Sequence, residues 1–314
     1  MTNRTTQPTI AIIGAGRLGT ALALSLSSHG YTITSLVAAR RKSAQRAART
    51  IKRYTSNSAH TVAPLALAAA ELDRLPPATI YLFTTPDDQL AHASAELARV
   101  LCARNNRQAQ SSAVALHTSG ALASAELSTL HKAGCAIGSL HPLAAVTTDA
   151  REGARALGSA FYCVEGDGSA VRAARRIVRA LGGRSFTIES AKKPLYHAAA
   201  VITSGHTVAL FDVACEMLTR CGLDERTARE TLLPLLESTS RNLQRQPPAQ
   251  ALTGTFARAD EATLQRHLAA LRAERLQLAE DVYRLLGSRS LLLAESNGAD
   301  KLALKRIRKL LYAK

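Results

Sequence analysis

The stretch that most constrains this 314-residue chain is Thr9-Ile10-Ala11-Ile12-Ile13, together with the Gly14-Ala15-Gly16-Arg17-Leu18-Gly19-Thr20-Ala21 that follows it. The apolar run reads as a buried strand, and the Ala/Leu-rich stretch past the glycines reads as a helix. Gly-x-Gly-x-x-Gly stands between them. In that strand–turn–helix context the glycines predict a dinucleotide cradle rather than an ordinary turn. Gly14 turns the chain sharply off the strand, Gly16 lets a pyrophosphate approach the backbone, and Gly19 lets the helix pack close to the strand. The helix opening near Arg17 directs its free N–H groups and the positive end of its dipole at the same phosphates. Gly14, Ala15, Gly16, Arg17, Leu18 and Gly19 are therefore the first expected cofactor contacts.

The second strand, Thr32 to Ala39, ends where a carboxylate is expected in an NAD site, about 20 residues past the glycines. The sequence there is Ala39-Arg40-Arg41-Lys42-Ser43. A guanidinium suits a 2′-phosphate, so the chain is expected to bind NADP through Arg40 and Arg41. A helix over Ser43–Tyr54, a short segment around His60–Ala63 and the stretch Leu65–Leu72 follow. The strand Ala78 to Thr85 stops at Pro86. Its carboxyl end should lie beside that of the first strand, so Thr84, Thr85 and Pro86 border the cofactor path. Asp87 and Asp88 are expected to cap a helix running to Ala103. Two more strands, Ser112–Gly120 and Cys135–Leu143, flank a helix over Leu122–Ala133 and bring His117 and His141 to one sheet edge. His117 and Ser119 complete the expected cofactor set. The strand Ala160–Val164, a basic helix around Val171–Arg179 and the segment Ser185–Ile188 close this half.

Past Glu189 the pattern is helical only. The expected architecture is an N-terminal, mostly parallel α/β domain over 1–190 and a C-terminal all-α domain over 191–314. Lys192-Lys193-Pro194-Leu195-Tyr196-His197 opens a long apolar helix, with Pro194 in its first turn and Gly222 past its end. Further helices are expected over Asp224–Arg245, Asp260–Leu286 and Leu302–Leu311. Lys193 and His197 stand four apart and share a helix face. Reduction of C=O or C=N by NADPH needs a positioned hydride donor and a proton source, and these two are the expected source. Asp260, Thr263 and His267 share another face, and His267 is expected to join them. The helix from Pro194 is apolar around most of its girth, which predicts a second subunit covering it in a homodimer.

Composition narrows the classes. Hydrophobic residues make up 46%, enough for a sizeable core. No apolar run reads as long enough to span a membrane and the first residues lack a signal-peptide core, so a cytoplasmic protein with no membrane partner is expected. Five scattered cysteines form neither a disulfide framework nor a zinc site, and no metal is expected. The net charge of +16 raises a nucleic-acid partner. Against it, the arginines of 171–179 alternate with apolar residues as a solvated helix face, and aromatics at 4% leave few platforms for base stacking. A small-molecule substrate is the expected partner.

The segments Gly14–Gly19, Thr84–Asp88, His117–Gly120, Ser139–Leu143, Lys193–Ala200 and Leu252–His267 cover nearly the full length. Together they resemble bacterial Rossmann-like proteins with a C-terminal helical domain of unknown function. That group is classed with NADP oxidoreductases and related to pyrroline-5-carboxylate reductase and the β-hydroxyacid dehydrogenases. The resemblance implies a Rossmann-like sheet domain, a helical domain and NADP. The Lys193–His197 spacing is similar to the Lys-x-x-x-Asn of β-hydroxyacid dehydrogenases, where the lysine handles a proton. This chain departs from the family pattern at Thr255, Ala259 and Gly205, where Pro, Gly and Asn are usual. The implied function is hydride transfer between NADP(H) and a small polar metabolite; the alternative is an NADP-binding sensor without turnover.

Overall fold

The computed structural model describes residues 8–55, 63–105 and 113–312, so residues 60–62 of the segment around His60–Ala63 lie outside the described residues. The chain divides into two compact units, Met1–Val201 and Ile202–Lys314.

The first unit is built on one sheet. Its strands are β1 (Thr9–Ile13), β2 (Thr32–Ala38), β3 (Leu65–Ala68), β4 (Ile80–Phe83), β5 (Val114–His117), β6 (Ala136–Leu143), β7 (Phe161–Gly166) and β8 (Arg184–Phe186). They lie in the order β3-β2-β1-β4-β5-β6-β7-β8. Every neighbouring pair is parallel except β6 and β7. The strand order reverses between β1 and β4, which leaves a ligand crevice outside their carboxyl ends.

The central strands are apolar without alternation because both faces are covered. Ile10 and Ile12 pack with α1 (Arg17–Ser28), α2 (Arg41–Thr55), α5 (Ala150–Gly158) and α6 (Gly168–Ala180). Ala11 and Ile13 face the opposite side, where α3 (Asp87–Asn105) and α4 (Ser128–Lys132) lie. The expected helix over Leu122–Ala133 is instead a 3₁₀ turn, Ser124–Leu127, followed by the short α4. Helix α5 escaped the sequence reading; its N-cap Asp149 accepts from the N–H groups of Arg151 at 2.7 Å and Glu152 at 3.1 Å.

Helix α7 (Lys193–Thr203) belongs to the first unit through Val201, eleven residues past the boundary expected at 190. Lys193 and Tyr196 of its first turn bond Ser139 and His141 on β6, while Pro194 and Leu195 are exposed. The second unit contains α8 (Gly205–Arg220), α9 (Glu225–Arg245), α10 (Pro248–Ala251), α11 (Gly254–Ala257), α12 (Glu261–Ala273), α13 (Gln277–Ser296) and α14 (Lys301–Tyr312). Leu264, Leu268, Leu291, Ala294, Leu304, Ile307 and Leu311 form a core among α12, α13 and α14. Gly222 ends α8 with φ +95°, its N–H bonded to the Thr219 carbonyl.

Three expectations fail here. The long helix expected from Lys192 to the Gly222 end is two, α7 and α8, parted at Ser204. The single helix over Asp260–Leu286 is two helices, broken at Arg275, which adopts φ +55°. No glycine or proline marks the break. The helical run Ser190–Arg220 is, by length and composition, apolar enough to cross a membrane, and none of its apolar window is buried. Single polar residues such as His197, Ser204 and His206 punctuate the run without making it polar on average.

Candidate active site

The β1–α1 loop separates the three glycines by what surrounds them. Gly14 has φ +112°, and a Cβ there would fall 2.6 Å from the Thr84 carbonyl carbon and the Thr85 nitrogen. A Cβ on Gly19 would fall 2.3 Å from the Gly14 oxygen and 2.5 Å from Thr84 Oγ1. Thr84 Oγ1 donates to that same Gly14 oxygen at 2.6 Å. Packing alone requires both glycines. Gly16 is different: among the described residues nothing lies within 4 Å of where its Cβ would be. Open space at an extended, exposed glycine is what an approaching pyrophosphate needs. Helix α1 has no side-chain N-cap bond and no acidic residue in its first turn, so its leading N–H groups remain available to an anion.

A cavity of about 510 Å³ opens beside Ala15, Gly16 and Arg17 and reaches Ser43 and Arg46 on α2. Leu18 is half-buried against the core. Thr85 Oγ1 is buried and has no hydrogen-bond partner among the described residues. A polar atom left unpaired at the end of β4 fits a crevice made for a polar group. These residues fit a dinucleotide.

The two arginines past β2 differ in occupation. Arg41 Nε donates to Glu71 Oε2 at 2.8 Å, and its terminal nitrogen pairs with Glu71 Oε1. Arg74 NH1 bonds the same oxygen at 3.0 Å. Glu71, the carboxylate nearest this edge in sequence, is thereby neutralised. Arg40 is exposed; its carbonyl accepts from the Ser43 N–H at 2.9 Å, and its guanidinium enters no hydrogen bond or ion pair among the described residues.

The chemistry-bearing residues gather where β5, β6 and β7 lie side by side. Register places His117 against Ser139 and Ser139 against Glu165. Into this row reaches Lys193, from the first turn of α7, with no exposed surface. Its Nζ donates to the Ser119 carbonyl at 3.1 Å and to Ser139 Oγ, and lies 3.7 Å from Glu165 Oε1. Burial lowers the Lys193 pKa, while the Glu165 and Cys163 charges push it back up. Burial, with the Lys193 charge second, lowers His117 to about 3. His141 falls to about 4 through burial first, then through His197, Lys193 and His117.

His141 Nδ1 and Tyr196 Oη are hydrogen bonded at 2.6 Å. The rings of His141 and His197 meet edge to face at 5.5 Å. Both crowd Gly120, where a Cβ would fall 2.3 Å from His197 Nδ1 and 2.8 Å from His141 Nε2. Asp87, expected only as a helix cap, accepts from Ser119 Oγ at 2.9 Å.

The fold thus brings together His117, Ser119, Lys193 and His197. It adds Ser139, Glu165, Tyr196 and Gly120, which sequence reasoning missed. Glu165 carried a signal, being a carboxylate on the apolar strand Phe161–Gly166 with only 6% of its surface exposed. His267 lies in the helical unit, exposed, with Nδ1 2.8 Å from Tyr283 Oη. Asp260 there is the N-cap of α12 and accepts from the Thr263 N–H and hydroxyl.

Comparison with known proteins agrees with this architecture. Residues 2–142 match the Rossmann-like domain and residues 160–290 match the domain of unknown function DUF2520. No curated protein matches the sequence. Among solved structures, a Bacteroides fragilis protein described as a putative NADP oxidoreductase is 21% identical, with TM-score 0.68, over 91% of this chain and 98% of its own. Thermotoga maritima protein TM1727 is 22% identical, with TM-score 0.67, over 92% and 99%. A Plasmodium falciparum pyrroline carboxylate reductase with NADP bound is 11% identical, with TM-score 0.52, over 91% and 98%.

Proposed function

We propose that this chain, a Rossmann-like domain joined to a DUF2520 domain, is an NADP-dependent oxidoreductase acting on a C=O or C=N bond of a small polar metabolite. The observation that carries the reading is the open approach at Gly16 beside the uncapped first turn of α1. NADPH, when bound, supplies the hydride. The backbone of Gly14–Gly19 holds the pyrophosphate, and Arg40 holds the 2′-phosphate with Arg41 behind it. Thr84, Thr85 and Pro86 border the cofactor path, and the His117–Ser119 loop closes the crevice. Lys193 and His197 manage the proton, Lys193 from beneath the crevice wall through its bonds to Ser119 and Ser139, and His197 from the same helix face nearer to solvent. His267 is the third proposed proton-handling group. The fold neighbours described with NADP support the cofactor class.

The proposed assembly is a homodimer. Ile202 is 63% exposed, Val208 70% and Leu235 63%, apolar surface on α7, α8 and α9 that a second copy would cover.

The test is a pair of titrations with NADPH and NADH, followed by a panel of small carbonyl and imine substrates. NADPH should bind about ten- to a hundred-fold more tightly, as one charge-assisted contact to the 2′-phosphate implies. Arg40→Asp should reverse the preference. Equal affinities in the wild type reject the NADP assignment. Tight NADPH binding with no turnover on any substrate favours the sensor.

A further inference from the structure

We infer that Glu165 is a positioning residue for this site: its carboxylate holds Lys193 charged and fixed against Ser119 and Ser139, and so sets the pH range over which Lys193 carries a proton to give. The inference rests on the proposed proton-handling role of Lys193.

The geometry around Glu165 is that of a built acceptor. Its Oε1 accepts from the Ser124 N–H at 2.7 Å, and its Oε2 accepts from the Ser124 hydroxyl at 2.8 Å and the Ser190 hydroxyl at 2.9 Å. Three donors converging on one side chain suit a carboxylate, which has acceptors only. They hold it still on a strand where it is almost wholly buried. Lys193 approaches the same oxygen that Ser124 N–H binds. Ser190 and Lys193 flank the entry to α7, so Glu165 grips that helix on both sides of its start. Tyr196 and His197 ride on the same first turns.

A lysine with no exposed surface loses its proton readily unless an opposite charge stands by. The groups facing Lys193 come from every strand and helix around it: Glu165 and Cys163 on β7, His117 on β5, His141 on β6 and Asp87 on α3. The Lys193 charge helps keep both histidines unprotonated, so neither adds a positive charge beside it. Asp87 is bonded to Ser119 Oγ. Among the described residues Glu165 is the one carboxylate in ion-pair range of Nζ. A buried lysine stripped of its partner is left uncompensated, whereas removing both charges together is tolerated.

The test uses full-length protein with ¹³C-labelled lysine side chains. The Lys193 signal is assigned by its loss in Lys193→Met. Its titration midpoint is then followed in the wild type, Glu165→Gln and Glu165→Asp. The midpoint should shift to lower pH in Glu165→Gln and stay close to the wild type in Glu165→Asp. With a substrate in hand, the high-pH limb of the turnover profile should move down with it, because deprotonation of Lys193 ends proton donation. A purely structural role would lower the melting temperature of Glu165→Gln and leave the midpoint where it was; that result overturns the inference. Should Glu165→Gln not fold, the double variant Glu165→Gln/Lys193→Met should; a double variant that also fails to fold makes Glu165 structural apart from Lys193 and overturns the inference. A shifted midpoint in a protein that reduces nothing leaves the hold of Glu165 on the Lys193 charge standing and removes the oxidoreductase, and with it the proton donation.

Discussion

Gly14, Gly16 and Gly19 are indistinguishable by composition and differ in the fold. Two are required by neighbouring backbone, and one faces open space. Gly16→Val should therefore abolish NADPH binding while leaving the melting temperature near the wild type. Gly14→Ala and Gly19→Ala should each destabilise by about 1–3 kcal/mol, as forced overpacking does. Binding fluorescence and thermal melts on the three variants check this; a Gly16→Val protein that binds NADPH normally would remove the cradle. The motif made these glycines legible because it is local. Arg40 was legible for the same reason. The pairing of Arg41 with Glu71 was not, since it spans 30 positions and depends on where β3 ends. Ser139 was out of reach because only strand register sets it beside Lys193, and Glu165, though it stands out on an apolar strand, does not show in the sequence which cation it faces.

The strands β5 and β6 carry histidines that burial holds neutral, His117 at about 3 and His141 at about 4. In the unfolded chain a histidine titrates near 6.5. Below that pH the unfolded state binds more protons than the folded one, so stability falls with acidification. The loss begins near pH 6.5 and continues down toward 4 for His141 and 3 for His117, at about 1.4 kcal/mol per pH unit for each fully neutral group. Melting temperature should thus be lower at pH 5 than at pH 7.5, and His117→Gln should narrow the gap; the same gap in both proteins would exclude His117 as a source. The elements themselves were mostly readable, because apolar runs and capping residues are local signals. The direction of β7 was not, and neither was the break at Arg275, where a side chain other than glycine takes a left-handed turn.

For the molecule as a whole the homodimer is the sharpest expectation. Light scattering at micromolar concentration should return twice the chain mass, and Val208→Glu should return one. A wild-type monomer under those conditions rejects the assembly. The apolar run past Pro194 made the girth of α7 and α8 plain; what covers it is not encoded in any one chain's pattern.

Lys193 has a further consequence for how this architecture is inherited. By chain order it belongs to the helical half, and by contact it belongs to the sheet, where it answers a carboxylate on β7. The halves are therefore not interchangeable modules joined at residue 190. A graft or gene fusion cut there would give Glu165 a stranger's first turn, and without a lysine in place it would stay buried with its cation missing. The usable seam lies past Val201, inside a helix, where nothing in the composition announces it.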